Sequence, residues 1–182
     1  MKLTTKPRYA LRLMLDLARS AGTEMPMSLA AVAHIEHLSR GYLEQLAASL
    51  RMAQLLRGVC GKGGGYMLAR EPEEITVREV IESVIGPINI VECVEKPKVC
   101  PRSDTCECRG VYVLINHRIT EALEGFTLAD LLDPERVRCL SAEAAASERT
   151  RERRGGRAST KTAGQHTAGR RGNDGAGGCP GG

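Results

Sequence analysis

The residues with the clearest chemical potential are four cysteines in the middle of the chain. They lie in the run VECVEKPKVCPRSDTCECRG, separated by six, five and one residues: Cys93, Cys100, Cys106 and Cys108. In a reducing compartment such thiols form no lasting disulfide and usually hold a metal or an iron–sulfur cluster. A loop rich in Lys, Pro, Arg and Asp is also a poor place to bury thiols as packing residues. The segment therefore predicts a metal centre.

The sequence before the cysteines predicts a helix-turn-helix. Apolar residues recur at helical spacing from Ala10 to Ala18, and Gly22 ends that run. A short helix is expected over about residues 28–35, and Ser39 can cap a third helix in SRGYLEQLAASLRMAQL. Two short helices joined by a few residues, the second with polar side chains on one face, are typical of this DNA-binding motif.

A β-hairpin and a further helix follow. The run GKGGG is too rich in glycine for a helix and is flanked by apolar residues, so it predicts a two-stranded wing. Thr76 and Glu79 then form a capping box at the start of a helix that Gly86 and Pro87 end.

The helix after the cysteines carries a long apolar stripe. It has no evident partner of its own length in the chain, so the stripe predicts packing against a second copy: Val111, Leu114, Ile115, Ile119 and Leu123. Thr127 and Asp130 cap one further short helix, which Asp133-Pro134 ends.

These elements define a mostly α fold with a small β-hairpin wing. We expect a winged helix-turn-helix domain over residues 1–86, a cysteine-rich loop over 87–109, and a dimerisation helix with a short C-terminal helix over 110–140. Residues 141–182 contain no Val, Ile, Leu, Met, Phe, Tyr or Trp and hold ten of the twenty glycines. This Gly/Arg-rich tail is expected to be disordered.

The charge distribution indicates what the chain binds. The first seventy residues carry ten Lys and Arg against four Asp and Glu, whereas residues 71–140 carry eight against fourteen. A basic first third suits double-stranded DNA, and the acidic middle is expected to avoid it. No apolar run reaches the ~18 residues that cross a membrane, so the protein is expected in the cytoplasm. No catalytic constellation appears, which predicts that the chain is not an enzyme.

Candidate DNA contacts fall into three groups. Side chains at the start of the third helix are expected to read base edges: Tyr42, Glu44 and Gln45. Polar and basic residues are expected to contact phosphates: Lys2, Lys6, Arg8, Ser39, Arg40 and Arg51. The wing supplies basic side chains and glycines that let the backbone approach DNA: Arg57, Lys62, Gly63, Gly64 and Gly65.

Taken together, MKLTTKPRYALRLMLDLA, LSRGYLEQLAASLR, GKGGGYMLAR and the three-cysteine loop resemble the Rrf-type winged-helix regulators of the IscR and NsrR group. The resemblance runs from Met1 to about Leu132. It implies a homodimer on a palindromic operator, with repression as the usual mode. It also implies an iron–sulfur cluster on Cys93, Cys100 and Cys106 that controls DNA binding, with a two-iron cluster favoured over a four-iron one.

The chain departs from the family pattern at two places. IscR members supply a His three residues after the third cysteine, but this chain has Arg109 there, and Pro7-Arg8-Tyr9 lacks the acidic ligand of the nitric-oxide sensors. Cys108 is therefore the expected fourth ligand. In the wing, Cys60 stands where the family often has an Arg before its glycines.

Two other functions are compatible with the cysteines. One is a winged-helix repressor stabilised by zinc, although the spacings are not the paired C-x2-C of structural zinc sites. The other is a small iron–sulfur electron-transfer or cluster-carrier protein. That role would leave the helix-turn-helix and the basic first third without a purpose.

Overall fold

The computed structural model describes the backbone of residues 5–21 and 25–162 and the side chains of residues 5–20 and 25–150. Its first three helices are α1 (Thr5–Ala21), α2 (Leu29–Glu36) and α3 (Arg40–Met52). Each of the last two begins at a serine cap. The Ser28 hydroxyl accepts a hydrogen bond from the Ala31 amide at 3.2 Å, and the Ser39 hydroxyl accepts one from the Tyr42 amide at 3.3 Å.

The turn between α2 and α3 is sharp because His37 adopts a left-handed conformation with φ 53°. The apolar sides of both helices face α1, which fixes them as a helix-turn-helix. Strands β1 (Leu56–Val59) and β2 (Gly65–Leu68) then pair antiparallel, with Leu56 opposite Leu68. The predicted mostly α fold with a hairpin wing is thereby confirmed.

The core is aliphatic and centres on α1. Its largest fully buried side chains come from α1, α2, α3, α4 and the segments beside them: Leu13, Met14, Val32, Leu43, Leu50, Leu55, Ile75, Val80 and Leu128. The i, i+3, i+4 and i+7 spacing of Ala10, Leu13, Met14 and Leu17 places four apolar side chains on one face of α1.

Helix α4 (Val77–Ile85) begins at the predicted capping box. The Thr76 hydroxyl accepts a hydrogen bond from the Glu79 amide, and the Glu79 carboxylate accepts one from the Thr76 amide at 2.9 Å. Burial alone would raise the pKa of Glu79, but the Thr76 hydrogen bonds and the nearby Arg70 guanidinium hold that pKa below its ordinary value. The cap therefore contributes its full stability at a pH above the ordinary pKa of a glutamate. This contribution is lost as the pH falls through the lowered pKa of Glu79.

The chain returns to α4 after the cysteine segment. The Val77 amide donates to the Phe126 carbonyl at 2.8 Å, and the Leu128 amide donates to the Ile75 carbonyl at 3.0 Å. These bonds flank an antiparallel bridge between Thr76 and Thr127. Helix α7 (Leu128–Leu132) begins directly after this bridge and packs on the core. The packed unit that contains these elements extends to Val137.

Between these points lie α5 (Glu92–Glu95), two short 3₁₀ turns (Pro97–Val99 and Ser103–Thr105) and α6 (Glu107–Glu124). The predicted apolar stripe of α6 is divided between two environments. Ile119 and Leu123 pack against the chain's own cluster of Val77, Ile81 and Ile88, so the C-terminal half of α6 has an intrachain partner. The half that carries Val111 and Leu114 is exposed.

Helix α8 (Pro134–Thr162) crosses the predicted boundary at residue 140. Residues 141–162 are helical, where the composition predicted disorder. The run SAEAAASERTRERR is rich in Ala, Glu and Arg, which have high helix propensity without any apolar face to bury. Residues 163–182, including Cys179, lie outside the described residues.

One buried carboxylate on α1 contributes to the pH dependence of stability. Asp16 is 5% exposed, and only one of its two carboxylate oxygens accepts a hydrogen bond among the described residues, from Arg19 at 2.8 Å. Burial, followed by repulsion from Glu36, raises the pKa of Asp16 above its ordinary value. Glu36 itself pairs with Arg12 at 2.6 Å.

We predict that Asp16→Asn flattens the pH profile of stability. The native carboxyl holds its proton to a higher pH than the unfolded one, so the free energy of unfolding falls as the pH rises above 3.8, the ordinary pKa. In the variant, the free energy of unfolding should not fall in this way as the pH rises. Loss of the ion pair with Arg19, which is mostly exposed, should lower the variant's free energy of unfolding by only about 0–1 kcal/mol.

Urea unfolding at pH 4 and pH 7 measures this difference. Glu71→Gln, which removes an exposed carboxylate, serves as the control and should leave the profile as in the wild type. An Asp16→Asn profile parallel to that of the wild type would contradict the assignment.

Candidate nucleic-acid interface and cysteine segment

Helix α3 presents a polar face beside the wing. Its buried residues, Leu43, Leu46, Ala47 and Leu50, fix the helix on the core. The opposite face exposes Arg40, Gly41, Glu44, Gln45 and Ala48. Ser39 caps this helix, and the first turn of a helix carries amides without intrahelical partners, which suits a phosphate.

Tyr42 occupies a different position from the other residues predicted to contact DNA. It is half-buried, and its ring meets the ring of Tyr9 edge-on, with centroids 6.0 Å apart. Its hydroxyl is buried and makes no hydrogen bond among the described residues. The structure therefore places Tyr42 as a contact between α3 and α1 rather than on the exposed face.

The same aromatic pair positions a basic residue. The Arg8 guanidinium lies 4.8 Å from the centre of the Tyr9 ring and donates to the Tyr9 hydroxyl at 3.2 Å. Lys6 and Arg51 are exposed at the start of α1 and the end of α3. Lys2 lies outside the described residues.

The wing carries the remaining basic residues. Arg57, Cys60 and Lys62 are exposed, and the Arg57 Nε donates to the Leu68 carbonyl at 3.3 Å, which fixes that side chain along the hairpin. Gly63 has φ 87°, a conformation that favours glycine.

The next two glycines are required by the chain's own packing. A Cβ on Gly64 would lie 2.3 Å from the Val59 carbonyl oxygen, and one on Gly65 would lie 2.3 Å from that of Met27. At Gly65 the hairpin meets the segment before α2, because Met27 and Tyr66 exchange backbone hydrogen bonds of 2.9 and 3.0 Å. Gly64 therefore allows the hairpin turn to close, and Gly65 allows the wing to pack on the segment before α2.

A cleft of about 290 Å³ separates α3, the predicted recognition helix, from the wing. The exposed side chains of Arg40 and Glu44 form one wall, and the start of α2 with Gly64, Gly65 and Tyr66 forms the others. The Arg40 Nε donates to the Glu44 Oε1 at 2.9 Å across one turn of α3.

The four predicted ligands lie on consecutive short elements. Cys93 is in α5, Cys100 follows the first 3₁₀ turn, Cys106 is the residue before α6, and Cys108 is in its first turn. The first three are half-buried, Cys108 is exposed, and all four are free thiols. Among the described residues, no three Cys, His, Asp or Glu side chains are grouped so that they could hold a metal ion. The donor types suit an iron–sulfur or zinc site, but the loop would have to draw them together.

Two hydrogen bonds fasten this segment along α6. The Arg109 Nε donates to the Cys93 carbonyl at 3.3 Å, and the Ile90 amide donates to the Asn116 Oδ1 at 3.1 Å. Arg109 and Asn116 are seven residues apart and therefore share one face of the helix. No local pattern marks Asn116 in the sequence, because its partner is 26 residues away.

Comparison with known proteins agrees with this geometry. The sequence profile of a family named Rrf2, described as an iron-dependent transcriptional regulator, matches residues 3–134. The chain belongs to the Rrf2 family. Members of the family are transcriptional regulators, so this chain is a DNA-binding regulator of the winged-helix type and not an enzyme. In the described part of the chain, no helix combines the length and apolar character needed to span a membrane.

Named relatives in the Rrf2 family include two kinds of regulator. The regulator CymR of Bacillus subtilis is 39% identical over 131 residues, which is 72% of this chain and 89% of CymR. The regulator IscR of Sodalis glossinidius is 37% identical over 137 residues, which is 75% of this chain and 82% of IscR.

Solved structures of Rrf2 regulators share the fold. CymR, the global cysteine regulator of B. subtilis, is similar with a TM-score of 0.59 and 38% identity, covering 72% of this chain and 95% of that one. IscR of T. potens is similar with a TM-score of 0.56 and 39% identity, covering 72% and 86%.

We predict that Gly65→Ala destabilises the protein by about 1–3 kcal/mol, the usual cost of overpacking. The new Cβ would collide with backbone atoms of Met27, which no side-chain rotation can relieve. Gly58→Ala is the matched control, because a Cβ there meets nothing within 4 Å. Thermal unfolding followed by circular dichroism compares the two. Equal melting temperatures for the variants would show that the wing root is not fixed in this way.

Proposed function

We propose that this protein is a cytoplasmic, homodimeric repressor whose operator binding is controlled by an iron–sulfur cluster. The observation that carries the proposal is the pairing of an exposed, serine-capped recognition helix with a cysteine segment that is hydrogen-bonded to a helix bearing an unpartnered apolar face. The first binds operator DNA, the second holds the cluster, and the third joins two copies.

DNA binding rests on the exposed basic residues around α3. Contacts to phosphates are assigned to Lys2, which precedes the described residues, and to residues on or beside α1, α3 and the wing: Lys6, Arg8, Ser39, Arg40, Arg51, Arg57 and Lys62. Base edges are read by Glu44 and Gln45, which project from the first two turns of α3. Tyr42 acts through its contact with Tyr9, which holds the recognition helix against α1.

Homodimer formation rests on the N-terminal half of α6. Val111 and Leu114 are each 57% exposed and Ile115 is 41% exposed. Val111 and Leu114 lie on the side of the helix away from Arg109 and Asn116, which the cysteine segment covers. An apolar strip beside a covered face suits the self-complementary interface of a two-fold dimer. Such a dimer would present two recognition helices to half-sites about 34 Å apart.

Control by a cluster rests on the cysteine segment. Cys93, Cys100 and Cys106 would be its ligands, with Cys108 as the fourth, and a two-iron cluster is the favoured type. When bound, an iron–sulfur cluster supplies a redox-active centre whose charge and ligation depend on the cell's redox state, nitric oxide and cluster supply.

The chain's own residues supply the route from this segment to the dimer helix. Arg109 holds the backbone of Cys93, and Asn116 holds that of Ile90. A change in how the cysteines are held therefore acts on α6, the helix that carries the exposed strip. Coupling between separate sites is typically ~1–3 kcal/mol, or roughly 5–150-fold in operator affinity.

We predict that Leu114→Glu converts the dimer to a monomer at micromolar concentration. A charge in the middle of the apolar strip would be buried without a partner in the dimer. Light scattering coupled to size exclusion measures the mass. Met52→Glu is the control, because Met52 is exposed at the end of α3, outside the strip, and that variant should remain dimeric. A wild type that is itself monomeric would contradict the proposed dimer.

We predict that replacing Cys93, Cys100 and Cys106 together by Ala removes the visible chromophore of anaerobically purified protein and changes operator affinity without unfolding the chain. Operators are first selected from random DNA with the wild type, and affinities are measured over a salt series. Binding should weaken steeply with salt. Cys139→Ala, which alters an exposed thiol outside the segment, is the control.

The other functions give different results in the same experiment. A colourless wild type that contains zinc would identify the metal-stabilised repressor. A coloured protein that selects no DNA would identify an electron carrier or cluster carrier. A triple variant with wild-type affinity in both redox states would reduce the cluster to a structural role.

A further inference from the structure

The ion pair between Arg40 and Glu44 lies on the exposed face of the recognition helix. The side chains are 71% and 52% exposed, and a single hydrogen bond of 2.9 Å joins the Arg40 Nε to the Glu44 Oε1. Exposed pairs of this kind contribute about 0–1 kcal/mol to folding. Stability alone therefore gives little reason for the pair.

The order of the two charges along α3 is also not the one that best stabilises a helix. Arg40 is the first residue of α3, where the positive end of the helix dipole disfavours a cation, and the first turn contains no acidic residue. In helices the stabilising order has the acid four residues before the base, and here the order is reversed. The helix would be more stable with these residues exchanged. Helix stability therefore does not account for their arrangement.

The pair is half-engaged, which leaves both residues able to bind a further group. Among the described residues, the hydrogen bond of this pair joins the Arg40 Nε to the Glu44 Oε1, so the two terminal nitrogens of Arg40 and the Glu44 Oε2 take no part in it. Both side chains line the cleft between α3 and the wing. A donor fork and an acceptor are thus presented side by side on the face assigned to the major groove.

A lone carboxylate on that face would be repelled by the DNA phosphates. Arg40 neutralises Glu44 at contact distance, so the acid can approach the groove as part of a neutral unit. A G·C base pair offers the complementary pattern, since guanine presents the acceptors O6 and N7 and cytosine presents the N4 donor.

We infer that Arg40 is a specificity-determining residue that acts jointly with Glu44, and that the pair reads one G·C base pair of the operator. This inference deepens the proposed DNA-binding function and rests on it. It changes the role of Arg40 from a contact to phosphate, which is blind to sequence, to a partner in base readout. Glu44 accepts from cytosine N4, and the free nitrogens of Arg40 donate to guanine.

The test is a double-mutant cycle. Wild type, Arg40→Ala, Glu44→Ala and the double variant are each used to select operators from random DNA, and their affinities for the wild-type operator and its single-base variants are measured. Arg51→Ala, which removes the same charge from the other end of α3, is the matched control. Thermal unfolding of every variant checks that the fold is retained.

Both single variants should lose preference for G·C at the same position, by about five-fold or more, since one good bidentate contact discriminates by that amount. Arg40→Ala should bind the operator more weakly than the double variant, because only it leaves an unpaired carboxylate facing the phosphates. Arg51→Ala should weaken all sequences equally.

Two results would overturn the inference while leaving the proposed function intact. One is an Arg40→Ala variant with unchanged base preference. The other is a double variant whose loss of affinity equals the sum of the single losses in log Kd, as expected for independent contacts. If the wild type enriched no sequence from random DNA, the proposed function itself would fail, and the inference with it.

Discussion

The structure depends on the burial of one face of α1. Leu13 and Met14 are fully inaccessible, and helices α2, α3, α4 and α7 and strand β2 all contact this helix. The chain has one Phe and no Trp, so the core is filled by aliphatic side chains whose close packing fixes the neighbours of α1 in place. The recognition helix and the root of the wing are therefore held by the same surface, and their spacing is a property of the core.

What the sequence predicted well are features set by local interactions. Ser39 caps α3 through an amide three residues away, and Thr76 and Glu79 cap each other over the same distance. The glycines of the wing mark a turn that few other residues can adopt. Such signals need no knowledge of the rest of the chain, which is why the helix-turn-helix and the hairpin were found in the right order.

What the sequence did not reveal depends on contacts between distant residues. The apolar stripe of α6 is continuous in sequence, but its second half is covered by residues of α4 and by Ile88. The pairing of Ile90 with Asn116 has no local pattern. The half-burial of Tyr42 follows from Tyr9 on another helix. In each case tertiary packing decides between two faces that a periodic pattern leaves equivalent.

The bridge between Thr76 and Thr127 has a consequence for how the cysteine segment can vary in sequence. Thr76 immediately precedes α4 and Thr127 follows α6, so the cysteine segment lies within a stretch of chain whose two ends are held together by this bridge. Lengthening a loop with fixed ends costs little, about 0.6 kcal/mol for each doubling. The cysteine segment is therefore an insertion between two fixed points of the chain. Its ligands, length and chemistry can be exchanged while the DNA-reading half of the molecule stays as it is.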